Sequence, residues 1–153
     1  MVVGLLVAAI FGFLSTVLMV LFEIPFWKAL GFDELVEWQL NWALVSRLSG
    51  RNTQGSMKWK VPLTIAGHLF HGAISSIVLF LLLPIVIVPF GLGSSILLAT
   101  IAYSIVLWVI FSIVLRGQYE VRLGFRSSDR GLLVALLSHV IYGSVLGILL
   151  FMT

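Results

Sequence analysis

The side chains best able to do chemistry in this sequence are its three histidines, which all lie in long apolar segments. His68 and His71 share one segment, and His139 lies in another. Ionisable groups in such surroundings are expensive and are therefore candidates for function. Small residues follow His68 and His139 at four-residue intervals, which places them on one face of each helix. These small residues are Gly72 and Ser76 after His68, and Gly143 and Gly147 after His139.

Three interpretations of the histidine pattern are open. In the first, the helices carrying His68 and His139 cross closely over the small residues, and each imidazole hydrogen-bonds a neighbouring helix. In the second, the glycines make room for a flat macrocycle, and His68 and His139 ligate the iron of a b-type haem from opposite sides. In the third, His68, His71 and His139 together hold a copper or zinc ion.

The distance between helices would separate the first two interpretations. Two imidazoles on one iron require histidine Cα atoms roughly 12 Å apart, whereas helices that cross over glycine approach much more closely. The third interpretation lacks an outer shell, because no Asp or Glu is expected at the depth of the histidines to orient the imidazole rings.

The charged residues define the elements that must position the histidines. All nine Lys and Arg and all six Asp and Glu fall in two windows, residues 23–60 and 116–130. Because one helical crossing of a bilayer needs about 20 apolar residues, the rest of the chain predicts four spans. Their approximate limits are 2–22, 61–88, 93–115 and 131–152. Loops rich in Lys and Arg stay on the cytoplasmic side of a membrane. We therefore expect a multi-pass protein of the cell membrane, with both windows cytoplasmic and both termini outside.

Composition supports a single transmembrane domain over residues 1–153. Hydrophobic residues make up 61% of the chain and charged residues 10%, far from the composition of a soluble domain. The absence of cysteine excludes disulfides and thiolate chemistry. The basic residues flank apolar spans, as expected for a membrane protein, so we expect no nucleic-acid partner.

The first charged window predicts an amphipathic helix over residues 33–48 that lies on the membrane surface. Asp33, Glu37 and Asn41 form its polar stripe. Tryptophan prefers the headgroup level, and four tryptophans of this window are expected there: Trp27, Trp38, Trp42 and Trp59. We expect the first span to end at Glu23 and Pro25, and the second to begin near Pro62. A short turn at Gly91 and Gly93 should bring the second and third spans into antiparallel contact.

An internal repeat underlies the predicted fold. Residues 68–80 align without gaps to residues 139–151, with identical His, Gly, Ile, Leu and Phe, and residues 4–22 align more loosely to 93–111. Each half is thus a two-helix hairpin, and two crossings per repeat keep the same orientation. The predicted fold is an all-α integral membrane four-helix bundle made by parallel duplication, plus the interfacial helix.

The expected function is that of a non-catalytic accessory or structural subunit in a larger membrane assembly. The predicted spans lack the carboxylates of an ion-coupled carrier and the polar lining of a pore. The serines and threonines within them should bond their own helix backbone. Small-residue faces would pack against other integral membrane subunits, and the basic loops would contact anionic lipids. These faces comprise Gly4, Gly12, Gly72, Ser76, Gly143 and Gly147. An electron-transfer protein with b-haem or a small metal site at His68 and His139 is the alternative.

These motifs resemble those of a group of uncharacterised small membrane proteins with four spans. That group has a glycine-rich first helix, here Gly4 to Gly12, and a second helix with H-x-x-x-G, here His68 to Gly72. Its last helix carries H-x-x-Y-G-x-x-x-G, here His139 to Gly147. The resemblance implies the four-span architecture and no activity. His71 departs from the pattern, since an apolar or aromatic residue is usual at that position.

Overall fold

The computed structural model describes residues 2–31, 36–48, 57–90, 96–114 and 128–152, and nearly all of these are helical. The all-α fold class is therefore confirmed. In chain order the helices are α1 (Val2–Leu30), α2 (Val36–Leu48), α3 (Met57–Phe90), α4 (Ile96–Trp108), which continues as a π-helix (Val109–Val114), and α5 (Asp129–Phe151).

Three of these helices are long and apolar enough to cross a bilayer. They contain the candidate spans Gly4–Leu30, Lys60–Ile85 and Asp129–Phe151, and a shorter apolar helix covers Ile96–Ser112. Large apolar side chains cover much of the outer surface of the bundle, as expected where lipid rather than water is the solvent. The chain is a multi-pass helical membrane protein.

The helices extend further than the prolines and charges suggested. α1 runs through Glu23 and Pro25 to Leu30, and α3 begins at Met57 and runs through Pro62, Pro84 and Pro89. Membrane helices tolerate proline because neighbouring groups compensate the lost backbone bond. α1 ends at Gly31, whose φ of 99° suits glycine and whose N–H donates to the carbonyl of Trp27 at 2.9 Å. The predicted turn at Gly91 and Gly93 lies outside the described residues.

The small-residue faces pack within two helix pairs, α1 with α3 and α4 with α5. A Cβ added to Gly72 would collide with the Thr16 hydroxyl, and one added to Gly12 would collide with the Gly72 carbonyl and Ser76. Gly143 lies equally close to Ser104 of α4. The expectation that α3 and α5 cross over their own glycines is therefore wrong, because α1 fills the glycine face of α3 and α4 fills that of α5. Gly4 likewise packs against Phe80, and Gly147 against Thr100 and Leu97.

Hydroxyl groups at these contacts bond to their own helices, as the sequence predicted. The side chains of Thr100, Ser104 and Ser138 donate to carbonyls three residues earlier at 2.7–2.9 Å. Ser76 is an exception, since its buried Oγ has no hydrogen-bond partner among the described residues. Because each of these hydroxyls donates to its own helix backbone, it needs no partner on the facing helix, and a glycine of that helix can pack closely against it.

Contact between α3 and α4 is sparse, although the short connection predicted extended antiparallel packing. One described link is the hydrogen bond from the Tyr103 hydroxyl to the carbonyl of Ser75, at 2.9 Å. A second tie joins α3 to α5, where the Tyr142 hydroxyl donates to the carbonyl of Gly72 at 2.8 Å. The main packing is of α1 on α3, of α1 on α5 and of α4 on α5, and this leaves space between α3 and α4.

The α2 helix packs into the bundle rather than lying on its surface. Trp38 and Trp42 are 1% and 2% exposed and form a core cluster with Val20 and Val134. They are therefore not headgroup anchors, and the half-buried Trp27 stacks on Trp38 with ring centroids 5.5 Å apart. The Trp59 side chain and Asp33 lie outside the described residues.

The polar stripe of α2 faces inward and some of its leucines face outward. Glu37 and Asn41 are buried, whereas Leu44 and Leu48 are exposed. The polar stripe is thus buried together with Trp38 and Trp42, unlike in the surface helix that the sequence predicted. Polar side chains can be buried when the interior supplies hydrogen-bonding partners. Here those partners come from α1, α3 and α5.

Candidate metal centre

Five polar side chains from four helices meet inside the bundle, and we call them the polar cluster. α1 contributes Glu23, α2 contributes Glu37 and Asn41, α3 contributes His68, and α5 contributes His139. Each of these residues is no more than 6% exposed. The cluster thus unites the two repeat histidines with two carboxylates that the sequence interpretation had assigned to the membrane surface and the aqueous loops.

Glu37 lies at the centre of the cluster, with one histidine on each carboxylate oxygen. Its Oε1 is 2.7 Å from His139 Nδ1, and its Oε2 is 3.5 Å from His68 Nε2. The other ring nitrogen of His68, Nδ1, is 2.9 Å from the Asn41 side-chain nitrogen. Because that amide nitrogen can only donate, His68 Nδ1 accepts, and a neutral His68 carries its hydrogen on Nε2, facing Glu37.

His139 has more acceptors than its Nδ1–H can serve. This nitrogen lies 2.9 Å from the carbonyl of Ala135 as well as 2.7 Å from Glu37 Oε1. Both neighbours are acceptors, so Nδ1 carries a hydrogen, and that hydrogen can point well at only one of them. Within the described residues, Glu37 Oε1 is a buried oxygen that receives no well-directed hydrogen bond. Such an oxygen is completed by a proton or a cation.

Glu23 brings a second carboxylate to the cluster from α1. The indole N–H of Trp38 donates to its Oε2 at 2.6 Å, which fixes the carboxylate on the side facing α2. One ligand atom each from Glu23, Glu37 and His68 lie within 4.8 Å of one another. The expectation that no carboxylate lies level with the histidines is wrong, because α1 continues past Glu23 and α2 turns Glu37 inward.

The charge balance of the cluster calls for a proton or a metal cation on the second carboxylate. Burial alone would raise the pKa of Glu37, but the adjacent His139 and His68 outweigh it and hold this pKa below its ordinary value. Glu37 is therefore a carboxylate at neutral pH. A second buried carboxylate this close needs a proton or a metal cation, because two adjacent negative charges in a low dielectric repel strongly.

The ligand set suits a small divalent ion. Nitrogen and oxygen ligands about 2.0–2.2 Å from a tetrahedral zinc lie roughly 3.4 Å from one another, so modest side-chain movement would close the set around one ion. Two carboxylate oxygens and one imidazole are donors that suit zinc, manganese or ferrous iron. Three protein ligands leave a coordination position open, as in sites that bind a further molecule.

The predicted set of three histidines is only partly brought together. His68 and His139 both reach Glu37, but His71 lies one turn away and packs edge-on against Phe111, with centroids 4.6 Å apart. Phe111 belongs to the π-helix, a conformation often found at functional sites. His71 thus lines the neighbouring cavity and lies outside the polar cluster.

The geometry favours a small ion over a haem. His68 and His139 contact the two oxygens of one carboxylate, and a carboxylate is far smaller than a macrocycle. The glycines that were to clear room for the macrocycle, Gly72 and Gly143, are instead covered by Thr16 and Ser104. The room beside Gly72 and Gly143 that the haem interpretation requires is filled by α1 and α4.

The sequence did contain a signal for the carboxylates. Glu37 and Asn41 are each followed by a tryptophan, Trp38 and Trp42, so the polar and aromatic residues lie side by side on the helix. Tryptophans that are buried carry the adjacent polar residues inward with them. For Glu23, the signal was its position directly after a long apolar run, where the helix formed by that run can continue through it.

Comparison with protein-family models, curated proteins and solved structures finds no match to the chain. The fold and cluster define a class, namely a multi-pass helical membrane protein with a buried glutamate and histidine centre. The resemblance to small four-span proteins stays a prediction.

Proposed function

We propose that this chain is a membrane metalloprotein that holds one divalent first-row metal ion at Glu23, Glu37 and His68. The observation that carries the proposal is the convergence of these three ligand groups within 4.8 Å in a buried site. Glu37 Oε1 also supports it, because the approach of His139 Nδ1 to 2.7 Å gives this buried oxygen no well-directed hydrogen bond. A divalent cation would neutralise both carboxylates and remove their repulsion at once.

Each proposed ligand has an outer partner that orients it. Trp38 donates to Glu23 at 2.6 Å, and Asn41 donates to His68 Nδ1 at 2.9 Å, which leaves Nε2 on the side of Glu37. His139 faces Glu37 while its Nδ1 also contacts its own helix. The bond from Trp38 to the Glu23 carboxylate is an outer support of the kind that fixes ligand orientation in a metal site. In this scheme His139 is a positioning residue. To bind a metal through Nε2 as a neutral imidazole, His68 must move its hydrogen from Nε2 to Nδ1, and the Asn41 amide must rotate so that its oxygen accepts that hydrogen.

Metal titration of the purified protein tests the proposal. Chelator-treated protein in lipid nanodiscs is titrated with Co²⁺, whose visible absorption reports the number of ligands. The zinc bound to untreated protein is counted by elemental analysis. We expect one ion per chain, with binding at least tenfold weaker in each of Glu23→Gln, Glu37→Gln and His68→Gln. Asp129→Asn is the matched control, because this exposed carboxylate at the start of α5 lies outside the cluster.

His71→Asn separates the proposed ligands from the three-histidine set. We expect this variant to bind Co²⁺ as the native protein does. Loss of binding would place His71 in the ligand set. Absence of a stoichiometric ion in the native protein, or equal binding by the Glu37→Gln and Asp129→Asn variants, would overturn the metal proposal.

We also propose that the chain crosses the membrane four times as a duplicated hairpin, with α4 and its π-helix as the third crossing. The two halves pack alike, which supports duplication: Gly72 of α3 packs on Thr16 of α1, and Gly143 of α5 packs on Ser104 of α4. This match shifts the loose alignment of the first and third spans by one residue.

The proposed topology puts both charged windows in the cytoplasm and both termini outside. The chain has no cysteine, so single cysteines can be introduced at Lys58 and Arg126 and labelled from either side of sealed vesicles. Both should react from the same side. Labelling from opposite sides would contradict an even number of crossings between them.

The accessory-subunit role stays a prediction, as do the non-catalytic character, the partner subunits and the contacts with anionic lipids. The small-residue faces no longer argue for partner helices, because Gly12, Gly72 and Gly143 are covered by the chain itself. Copurification from native membranes would test that role, and a stable, metal-loaded chain without associated subunits would count against it.

A further inference from the structure

A cavity of about 340 Å³ adjoins the polar cluster. It lies among α2, α3 and the π-helix, in the space that sparse packing of α3 against α4 leaves. Its polar lining includes Glu37, Asn41, His68, His71 and His139. The volume falls in the range of small-molecule sites. At about 30 Å³ per water-sized group, it would hold roughly 11 non-hydrogen atoms.

The remaining walls are largely apolar, and the cavity opens at a surface of exposed apolar side chains. Leu48 of α2 and Phe70 of α3 line it and are 80% and 69% exposed, and Leu44 and Ile74 are exposed beside them. These side chains are continuous with the apolar exterior of the bundle. A molecule dissolved in the bilayer would therefore reach the polar lining sideways, without crossing water.

The charges of the cavity select the headgroup of its occupant. No Lys or Arg of the described chain lines it, while the Glu37 carboxylate does. In the metal-free protein, a phosphate or carboxylate headgroup would therefore enter beside the Glu37 carboxylate with no Lys or Arg in the described lining to pair with it. An uncharged headgroup that can both donate and accept a hydrogen bond has no such penalty.

His71 is the residue placed to bind such a headgroup. Its imidazole is only partly buried and lines the cavity, and its described contact is the edge-on packing against Phe111 at 4.6 Å. Among the described residues no hydrogen bond to its ring is present, so one nitrogen is free to donate and the other to accept. This residue was left without a role by the metal cluster.

We propose that the cavity binds an uncharged, membrane-dissolved alcohol with an apolar tail, and that His71 hydrogen-bonds its hydroxyl. The tail lies between the leucines of α2 and Phe70 and Ile74 of α3. The inference goes beyond the metal site and does not depend on it, because the cavity, its opening and His71 are present without an ion.

Photolabelling in nanodiscs tests the proposal with a diazirine analogue of 1-decanol, whose parent alcohol has 11 non-hydrogen atoms. Labelled residues are located by mass spectrometry, and unlabelled decanol, decanoate and decane compete. We expect labelling on the cavity walls, with decanol competing roughly tenfold better than decanoate or decane. Equal competition by all three would overturn the headgroup assignment.

Two variants of the wall and one control locate the site. His71→Leu removes the hydrogen-bonding ring and should weaken decanol competition roughly fivefold. Ile74→Trp should block the opening, whereas Leu81→Trp, on an exposed residue of α3 outside the lining, should not. Both tryptophans replace exposed residues, so folding should be kept. Labelling that is spread over the lipid-facing surface and unchanged by Ile74→Trp would refute a site in the cavity.

The same variants keep the two proposals distinguishable. Glu23 does not line the cavity, so Glu23→Gln should lose Co²⁺ while it keeps decanol-sensitive labelling. His71→Leu should weaken decanol competition and keep Co²⁺ binding. Labelling that survives chelator treatment supports a lipid site independent of the metal, and labelling that disappears with the metal would overturn that independence.

Discussion

Gly143→Ala should destabilise the bundle, because the added methyl group would overlap atoms of α4. Its Cβ would lie 2.8 Å from both Ile101 Cα and the Thr100 carbonyl oxygen, and closer still to the Ser104 hydroxyl. Ordinary contacts of a Cβ fall between 3.4 and 4 Å. Two of the obstructing atoms belong to backbone, so α4 and α5 must separate by more than half an ångström.

The cost follows from two opposing terms. Overpacking of a close interface costs about 1–3 kcal/mol, and replacing glycine with alanine inside a helix returns about 1 kcal/mol. Separation of the helices also loosens the neighbouring contact of Gly147 with Leu97. The two terms leave a loss of about 0–2 kcal/mol, and the loosened Gly147 contact adds to it. We therefore expect a net loss of about 1–2 kcal/mol, or a fall in Tm of roughly 2–8 °C for a chain of this size.

Thermal unfolding in detergent measures the effect, and Gly67→Ala is its matched control. A Cβ at Gly67 would meet the Val45 methyl group at 2.7 Å, and the nearest backbone atom is 3.8 Å away. Since a side chain beside a cavity can shift, this variant should match or exceed the native Tm. A Gly143→Ala protein as stable as Gly67→Ala would refute the close packing of α4 on α5.

Three further predictions concern the cluster and its supports. Trp38→Phe removes the N–H that holds Glu23 and should weaken Co²⁺ binding roughly 10- to 100-fold; unchanged affinity would show that the indole is only packing. Glu37 has a folded-state pKa below its ordinary value of 4.5. Its ionised form therefore stabilises the metal-free fold above that pH, and the contribution is lost as pH falls through the depressed pKa. Glu37→Gln should flatten this acid-side fall in Tm, and an unaltered profile would contradict it. Tyr142→Phe deletes the bond to the Gly72 carbonyl and should cost about 1 kcal/mol in thermal unfolding; no change would mean that this hydrogen bond contributes nothing net.

The sequence predicted the helices well and their ends poorly. Long uncharged stretches can only be helical in a bilayer, because every backbone group must bond within its own segment. That argument located all four apolar helices. It also placed ends at Glu23 and Pro62, where a charge or a proline seemed to mark the membrane boundary. In the structure Glu23 finds a partner in Trp38, and a paired carboxylate need not lie in water.

The candidate site was half predictable for the same reason. His68 and His139 were candidates because ionisable residues are scarce in the apolar segments and because the two histidines align in the sequence repeat. Both lie in the polar cluster. Which face of α2 turns inward depends on those two partners, and one of them lies about a hundred residues further along the chain. Periodicity within α2 reports that the helix has two faces, and it does not report what the rest of the fold offers to each.

The inward-facing α2 has a consequence for the order of assembly. When the ribosome has completed α2, neither histidine that flanks Glu37 has yet been made, and the carboxylate has no reason to leave water. We expect α2 to rest at the lipid surface during synthesis and to turn over only when α5 arrives. The surface helix that the amino-acid pattern describes would then be a real but transient state of the nascent chain.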